Sequence, residues 1–475
     1  MWVNRVGLLL AGLLLACGGA GGGKQRHPGP IVLITIDTLR ADHVGALGGL
    51  PKLTPHLDRL AAEATWAGRA ISPSSWTVPS MSSLFTGFQP ATTQTWSFDR
   101  AVIPRKLPLL PEVLRSRGYR TAGYRANPWT MARYGYSRGF DHFDNLGDGS
   151  DAEARLARLD GGPDFVWVHM LPPHSPYVRR PHLEDRVRVP GLPLRVRHAD
   201  LEPYYDPSVP LSPELERVFR AMYALNVAWA DEKLGRLLDA LRRSGQWDRV
   251  FLVVTSDHGE EFREYGQIAH GGNLGRHQIE VPLVIKLPAG FGRKLETRGP
   301  VATIRVRNTL IEAAGGEPGP GTAPSLFRSW EGGVLSELYL DNGINHFSYV
   351  EADRQLLWEA HFAKPEPEYY RAHLLTTLGV PDPSLALFRR LEEAVSRVPP
   401  LTGLPGDPPR LTLWRWTADG SERIDDPRQV SEMARRLKRA WTAANGPERP
   451  FGRRPSLEPI TKQEEQELRS LGYIH

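Results

Sequence analysis

The chain has 475 residues, 40% hydrophobic and 24% charged, an ordinary globular balance spread over more chain than one typical core holds. Its formal net charge of +5 is small for this length, and with no zinc-finger, RNA-binding or helix-turn-helix pattern it argues against a nucleic-acid partner. Cys17 is the single cysteine, which excludes an internal disulfide framework.

At the N-terminus, Arg5 and the apolar run 6–16 read as a signal peptide whose apolar core is too short to span a bilayer. Leu14-Leu15-Ala16-Cys17 resembles the lipobox cleaved before a lipidated cysteine in bacterial lipoproteins, so 1–17 is read as a lipoprotein signal with Cys17 as the lipidation site. Residues 18–30 are glycine-rich and predict a flexible tether of roughly 20 Å reach, holding the rest of the chain near a membrane. No polytopic membrane segment is present, and nothing in the sequence specifies an oligomeric state.

IVLITIDTLRADH (31–43) predicts a buried strand with Asp37 at its exit. TPHLDRLAAEA (54–64) predicts a helix capped by Thr54, with Pro55 at its first position. In SPSSWTVPSMSSLFTG (72–87), Pro79 suits the first turn of a helix running to about Phe85. Thr77 then sits at that helix's N-terminus, where unpaired N–H groups and the dipole favour anions; a plain helix cap is the bland alternative. Residues 107–124 predict a helix, a stop at Gly118 and a strand, and FVWVHM (165–170) predicts another strand.

The stretch 177–210 is proline-rich and basic, with Arg179, Arg180, Arg186, Arg188, Arg195 and Arg197. It predicts an irregular loop, either a lid or a solvated insertion. A long amphipathic helix follows over 212–245, with Pro213 near its start and Gly245 past its end. VFLVVTSDHGE (250–260) predicts a buried strand releasing Asp257 and His258 at its carboxyl end, where open α/β sheets place ligands. Residues 281–288 predict one more strand. The alternation describes an α/β domain over 31–315, a doubly wound and mostly parallel sheet flanked by helices.

A closing helix and Gly/Pro-rich linker over 307–325 place a boundary near 316–330. Beyond it, 330–475 predicts a smaller α+β part, with antiparallel strands at 346–361 and 411–420 and a short amphipathic helix at 461–473. Two strands that each release an acidic side chain, Asp37 and Asp257, predict a metal site assembled across the sheet.

Taken in order, ITIDTLRADHVGAL, SSWTVPSMSSLFTG, VHMLPPHSPY, VFLVVTSDHGE and VPLVIKLP resemble the sulfatase family of the alkaline phosphatase superfamily, over roughly residues 30–315. Pro79-Ser80 and Leu84-x-Thr86-Gly87 set the register. The resemblance implies Asp37, Thr77, Asp257 and His258 as ligands of one divalent ion, with Thr77 also the nucleophile. It implies His174 and His270 as substrate-binding and catalytic groups, and Arg125 or Asn127 as a further substrate contact. His43 and His169 are read as structural histidines.

Three departures redirect the chemistry. Position 77 is threonine, and oxidising a secondary alcohol cannot give the formylglycine aldehyde of sulfatases. Met81 replaces the arginine that supports that aldehyde, and Thr38 stands where many members have a second aspartate. The resulting set is similar to the superfamily's threonine-nucleophile phosphohydrolases and phosphotransferases. An imidazole ligand favours Zn²⁺ or Mn²⁺ over Ca²⁺, which stays the alternative. The expectation is a metal-dependent hydrolase of sulfate or phosphate esters, its substrate a small molecule, glycan or lipid. Its expected place is the bacterial cell envelope, lipid-anchored on the periplasmic face of the outer membrane. Two alternatives stay open: a transferase of phosphoryl-linked headgroups onto envelope lipid or glycan, and a binding protein without turnover.

Overall fold

A computed structural model describes residues 29–96, 100–340, 344–361, 410–417 and 420–445, and 461–467 except 463 and 465. Cys17 and the tether up to residue 28 lie outside the described residues, as does most of the 461–473 helix. Among the described residues, no helix is long and apolar enough to cross a membrane.

The main sheet is built from β1 (Ile31–Ile36), β2 (Trp66–Ile71), β3 (Arg120–Arg125), β4 (His142–Asn145), β5 (Asp164–Met170), β6 (Phe251–Ser256), β7 (Glu280–Lys286) and β8 (Val301–Ala302). Their spatial order is β8-β2-β7-β6-β1-β5-β3-β4. Every residue of β1, β5 and β6 is buried, as a strand covered on both faces requires. Alternation along these strands sorts their side chains into two cores. Val32, Ile34, Val166 and Val254 face one side, whereas Ile31, Leu33, Trp167 and Val253 face the other.

Helices cover both faces. The first core is closed by α1 (Pro55–Glu63) and the long α4 (Pro213–Arg243), the second by α2 (Thr77–Thr86), α3 (Leu110–Arg115) and α5 (Arg305–Ala313). The doubly wound expectation is therefore met, with one exception in direction. β7 runs antiparallel to both β2 and β6; its apolar run fits a buried strand in either direction.

Two local expectations change. Thr54 precedes α1 but makes no capping bond. Asp231 of α4 accepts the His56 and Leu57 N–H groups instead, at 3.0 and 2.8 Å, so one carboxylate both caps α1 and ties it to α4. The stretch 177–210 is not irregular throughout. It holds a two-stranded pair (Tyr177–Val178 with Arg195–Val196), and Leu183, Leu192 and Leu201 enter the first core. Arg179, Arg186 and Arg197 are engaged by Glu184, Glu232 and Asp200.

A separate antiparallel sheet follows in the order β9 (Val334–Tyr339), β10 (Ile344–Glu351), β11 (Arg354–His361), β12 (Arg410–Thr417) and β13 (Gly420–Ile424), as expected for the C-terminal part. Met433, Leu437 and Trp441 of α6 (Pro427–Asn445) pack on Leu356 and Leu413 of this sheet. Ser336 Oγ donates to the Ser72 carbonyl at 2.6 Å and Gln355 Nε2 to the Leu274 carbonyl at 2.7 Å. The second sheet thus braces the segment entering α2 and the loop after residue 270.

Candidate active site at the carboxyl ends of the central strands

Strand register assembles the site. Thr35 of β1 lies opposite His169 of β5 and Thr255 of β6, and Arg125 of β3 lies opposite His169. Residues opposite one another share a sheet face, and the residue two further along returns to that face. Asp37, Asp257 and Asn127 occupy those next positions, just past the strand ends. α2 covers the same face through Val78, Met81 and Phe85, which delivers Thr77 from its first turn.

The distances show one cluster. His258 Nε2 lies 3.3 Å from Thr77 Oγ1, 3.6 Å from Asp37 Oδ1 and 3.5 Å from Asp257 Oδ2. Asn127 Nδ2 donates to Asp37 Oδ2 at 2.6 Å and to Thr77 Oγ1 at 3.3 Å. His169 Nε2 stands 3.4 Å from Asp37 Oδ2. All six residues are buried.

Hydrogen bonds behind the cluster aim its atoms. His258 Nδ1 lies 2.9 Å from the Gly259 carbonyl, which can only accept, so the Nε2 lone pair faces the carboxylates. Thr35 Oγ1 holds His169 Nδ1 at 2.7 Å and accepts Trp167 Nε1–H at 3.1 Å. Asp257 Oδ1 accepts the N–H groups of His258 and Thr38 at 2.9 and 3.3 Å. Thr38 reaches that position at φ 58°, a left-handed conformation that is costly for a β-branched residue. Tyr223 donates to its carbonyl at 2.7 Å and stabilises the turn.

Burial works to raise the pKa of both carboxylates. At Asp37 the charges of His174, His169 and His258 and the His169 hydrogen bond overturn it, holding the carboxyl well below its usual range. At Asp257 burial and the Asp37 charge push the pKa up to about 7. Burial, reinforced by His270, lowers His258, so that imidazole is neutral at pH 7.

A divalent ion fits this donor set. Among the described residues, Asp37 Oδ1 and Asp257 Oδ2 are buried without a hydrogen-bond partner, a costly arrangement unless a cation completes it. Asp37, His169 and Asp257 each offer a ligand atom, all within 4.8 Å of one another. The 3.3–3.6 Å spacings around His258 Nε2 match the edge of a tetrahedron with metal–ligand bonds of about 2.0–2.2 Å. Because Asp257 titrates near 7 without metal, a cation must displace its proton below that pH. Apparent Zn²⁺ affinity is expected to fall by up to about tenfold per unit as pH drops from 7 toward 5, and to level off above 7. Calorimetry in buffers of different ionisation enthalpy reads both the slope and the released proton.

A second layer surrounds the cluster. The His270 ring centroid lies 4.4 Å from that of His258 and 5.0 Å from that of His174. His270 Nδ1 pairs with Glu260 Oε1 at 2.8 Å, and Tyr177 donates to Glu260 Oε2 at 2.9 Å. Although burial opposes it, the Glu260 charge and hydrogen bond raise the His270 pKa. Burial lowers that of His174, whose Nδ1 lies 2.5 Å from the Ser175 carbonyl. One of these two imidazoles is thereby biased toward the charged form and the other toward the neutral one.

The predicted residues Asp37, Thr77, Asn127, Asp257 and His258 therefore meet, with His270 and His174 beside them. Arg125 does not join the cluster; Glu467 engages its guanidinium. His169, read from the sequence as structural, points its Nε2 at Asp37. His43 pairs with Asp42 at 2.8 Å, outside the cluster. Glu260 follows Asp257 and His258 in the same DHGE run, and its pairing with His270 is a contact that no spacing in the sequence marks. Met81 is wholly buried in the second core, so the side chain one turn beyond Thr77 is an apolar core residue.

The Sulfatase family model matches residues 30–155 and 146–316. An ulvan-active sulfatase from Formosa agariphila is 25% identical over 349 residues, covering 65% of this chain and 67% of that protein. The multifunctional alkaline phosphatase superfamily protein PehA of Trinickia caryophylli is 28% identical over 188 residues, 34% of this chain and 36% of that protein. The chain thus spans about two thirds of the first relative's length and about one third of the second's. Among solved structures, a 2-O GAG sulfatase superposes with TM-score 0.57 at 16% identity, covering 78% of this chain and 93% of that one. The C-terminal periplasmic domain of EcEptC from Escherichia coli, in complex with Zn, superposes with TM-score 0.51 at 16% identity, covering 67% and 91%. A family model matched over 30–155 and 146–316, more than half of the chain, means that the chain belongs to the sulfatase family.

Proposed function

We propose that the protein hydrolyses phosphate or sulfate monoesters through Thr77, with a single divalent ion held by Asp37, Asp257 and His258. The observation that carries this reading is Thr77 Oγ1, buried at a helix N-terminus and 3.3 Å from His258 Nε2. A bound Zn²⁺ or Mn²⁺ supplies Lewis acidity there, lowering the hydroxyl pKa and offsetting ester charge. Two imidazoles beside two carboxylates favour those ions over Ca²⁺, and the zinc complex of one fold neighbour supports the choice.

The side chains then divide the work. Asn127 Nδ2 orients the Thr77 oxygen, which would release its proton to solvent on ionising and bond to the phosphorus or sulfur as the ester oxygen leaves. The α2 N–H groups face the transferring anion. His270, biased toward the charged form by Glu260, protonates the leaving oxygen, and neutral His174, its Nδ1–H held by the Ser175 carbonyl, accepts at the same group through Nε2. Water then releases the covalent ester from Thr77. The likeness to an ulvan-active sulfatase and to a GAG sulfatase supports a glycan as the alcohol part. The threonine supports phosphate ahead of sulfate.

The test is turnover by zinc-loaded and manganese-loaded protein. Hydrolysis of para-nitrophenyl phosphate is expected to exceed that of the sulfate, and chelation to abolish both. Turnover that survives chelation, or none with either ester, contradicts the proposal. Replacing the partner of His270, Glu260→Gln, is expected to lower kcat/KM about 10- to 100-fold at unchanged metal content. Loss of metal in that variant would assign Glu260 to the ion instead.

A further inference from the structure

The end of the chain brings two carboxylates to the segment that carries Asn127. Thr461 Oγ1 accepts the Glu464 N–H at 3.2 Å, and Glu464 Oε2 accepts the Thr461 N–H at 2.8 Å. This reciprocal pair is the signature of a helix start, and residues 462, 464, 466 and 467 are helical. Three-residue spacing sets Glu464 and Glu467 on one helix face. Glu464 Oε2 meets Arg133 Nη1 at 3.0 Å. Glu467 takes Arg125 by both arms, Nη1–Oε2 at 2.5 Å and Nη2–Oε1 at 3.4 Å.

Arg125 has a telling place in the sheet. It lies in register with His169, on the face where Asn127, Asp37 and Asp257 form the next row. Its fork matches the geometry of a carboxylate, phosphate or sulfate equally well. Here a carboxylate of the same chain fills it, with the two side chains only 11% and 18% exposed. An incoming anion must displace Glu467 or face its charge.

We propose that Glu467 is a specificity-determining residue: by holding Arg125 it closes a second anion subsite beside the metal cluster. The site then accepts an ester with one anionic group and disfavours esters bearing a second one toward Arg125. The inference rests on the ester-site reading above, and binding measurements separate the two. Zinc-loaded full-length protein is titrated calorimetrically with benzenesulfonate and with meta-benzenedisulfonate, which report one and two anions without turnover. Wild type is expected to bind both with similar affinity. Glu467→Ala is expected to bind the disulfonate about tenfold or more tightly and the monosulfonate as before. Adding Arg125→Gln to that variant is expected to remove the gain, which assigns it to the guanidinium rather than to a loosened C-terminal helix. Unchanged disulfonate affinity in Glu467→Ala, with monosulfonate binding intact, overturns the subsite and leaves the ester reading standing. A gain that survives Arg125→Gln also overturns it. Wild type that binds neither anion overturns both.

Discussion

Thr77→Ala is expected to lower kcat/KM for a phosphate ester by about 10³-fold or more, with little change in fold. Thr77 Oγ1 is the hydroxyl that the cluster surrounds, and removing a nucleophile leaves only binding and charge stabilisation. Its structural work is small. Trp76 holds the N-cap position of α2, and among the described residues the Thr77 oxygen bonds only to Asn127 and His258. The melting temperature should therefore shift by the equivalent of about 1 kcal/mol or less. Thr77→Ser keeps the hydroxyl and should retain measurable turnover. Steady-state kinetics with a thermal melt of each variant checks all three values. Equal activity in wild type and Thr77→Ala would remove Thr77 from the chemistry.

Asp257→Asn is expected to act on the metal and on the metal-free fold in opposite directions. The substitution keeps the shape and removes the charge. Outer partners of metal ligands already cost 10- to 100-fold in affinity, so loss of a ligand charge should cost about 10²-fold or more. The metal-free protein should gain. Asp257 has its pKa raised from 3.8 to about 7 by burial and by Asp37. A raised folded-state pKa contributes stability at low pH that is lost as pH climbs from the unfolded value through 7. Asparagine has no such loss, so at pH 8 the metal-free variant should melt above metal-free wild type. Zinc titration followed by melting curves with and without chelator tests both signs. A metal-free variant that melts lower at pH 8 would contradict a carboxylate destabilised by burial and by Asp37.

Much of the site was legible because its residues stand at strand exits, where an apolar run followed by Asp37, or by Asp257 and His258, marks the position without knowledge of the partner strand. His169 was not. It lies inside the apolar run of β5, where a histidine reads as core, and only its register with Thr35 and Arg125 turns it toward Asp37. The direction of β7 was invisible for a similar reason, since Val281 to Ile285 is equally apolar read either way. Thr54 occupies the expected cap position, yet the capping carboxylate comes from Asp231 on another helix. Arg125 is the sharpest case. Its neighbourhood with Asn127 is local, but its partner Glu467 lies 342 residues away, beyond any spacing rule.

The most direct test of the metal-activated cluster is anomalous diffraction at the zinc edge from crystals of the zinc-loaded protein. The account predicts one strong peak bounded by Asp37 Oδ1, Asp257 Oδ2, His258 Nε2 and Thr77 Oγ1. A zinc peak whose neighbours exclude Asp37 and Asp257, or no peak at this cluster in fully loaded crystals, would contradict it.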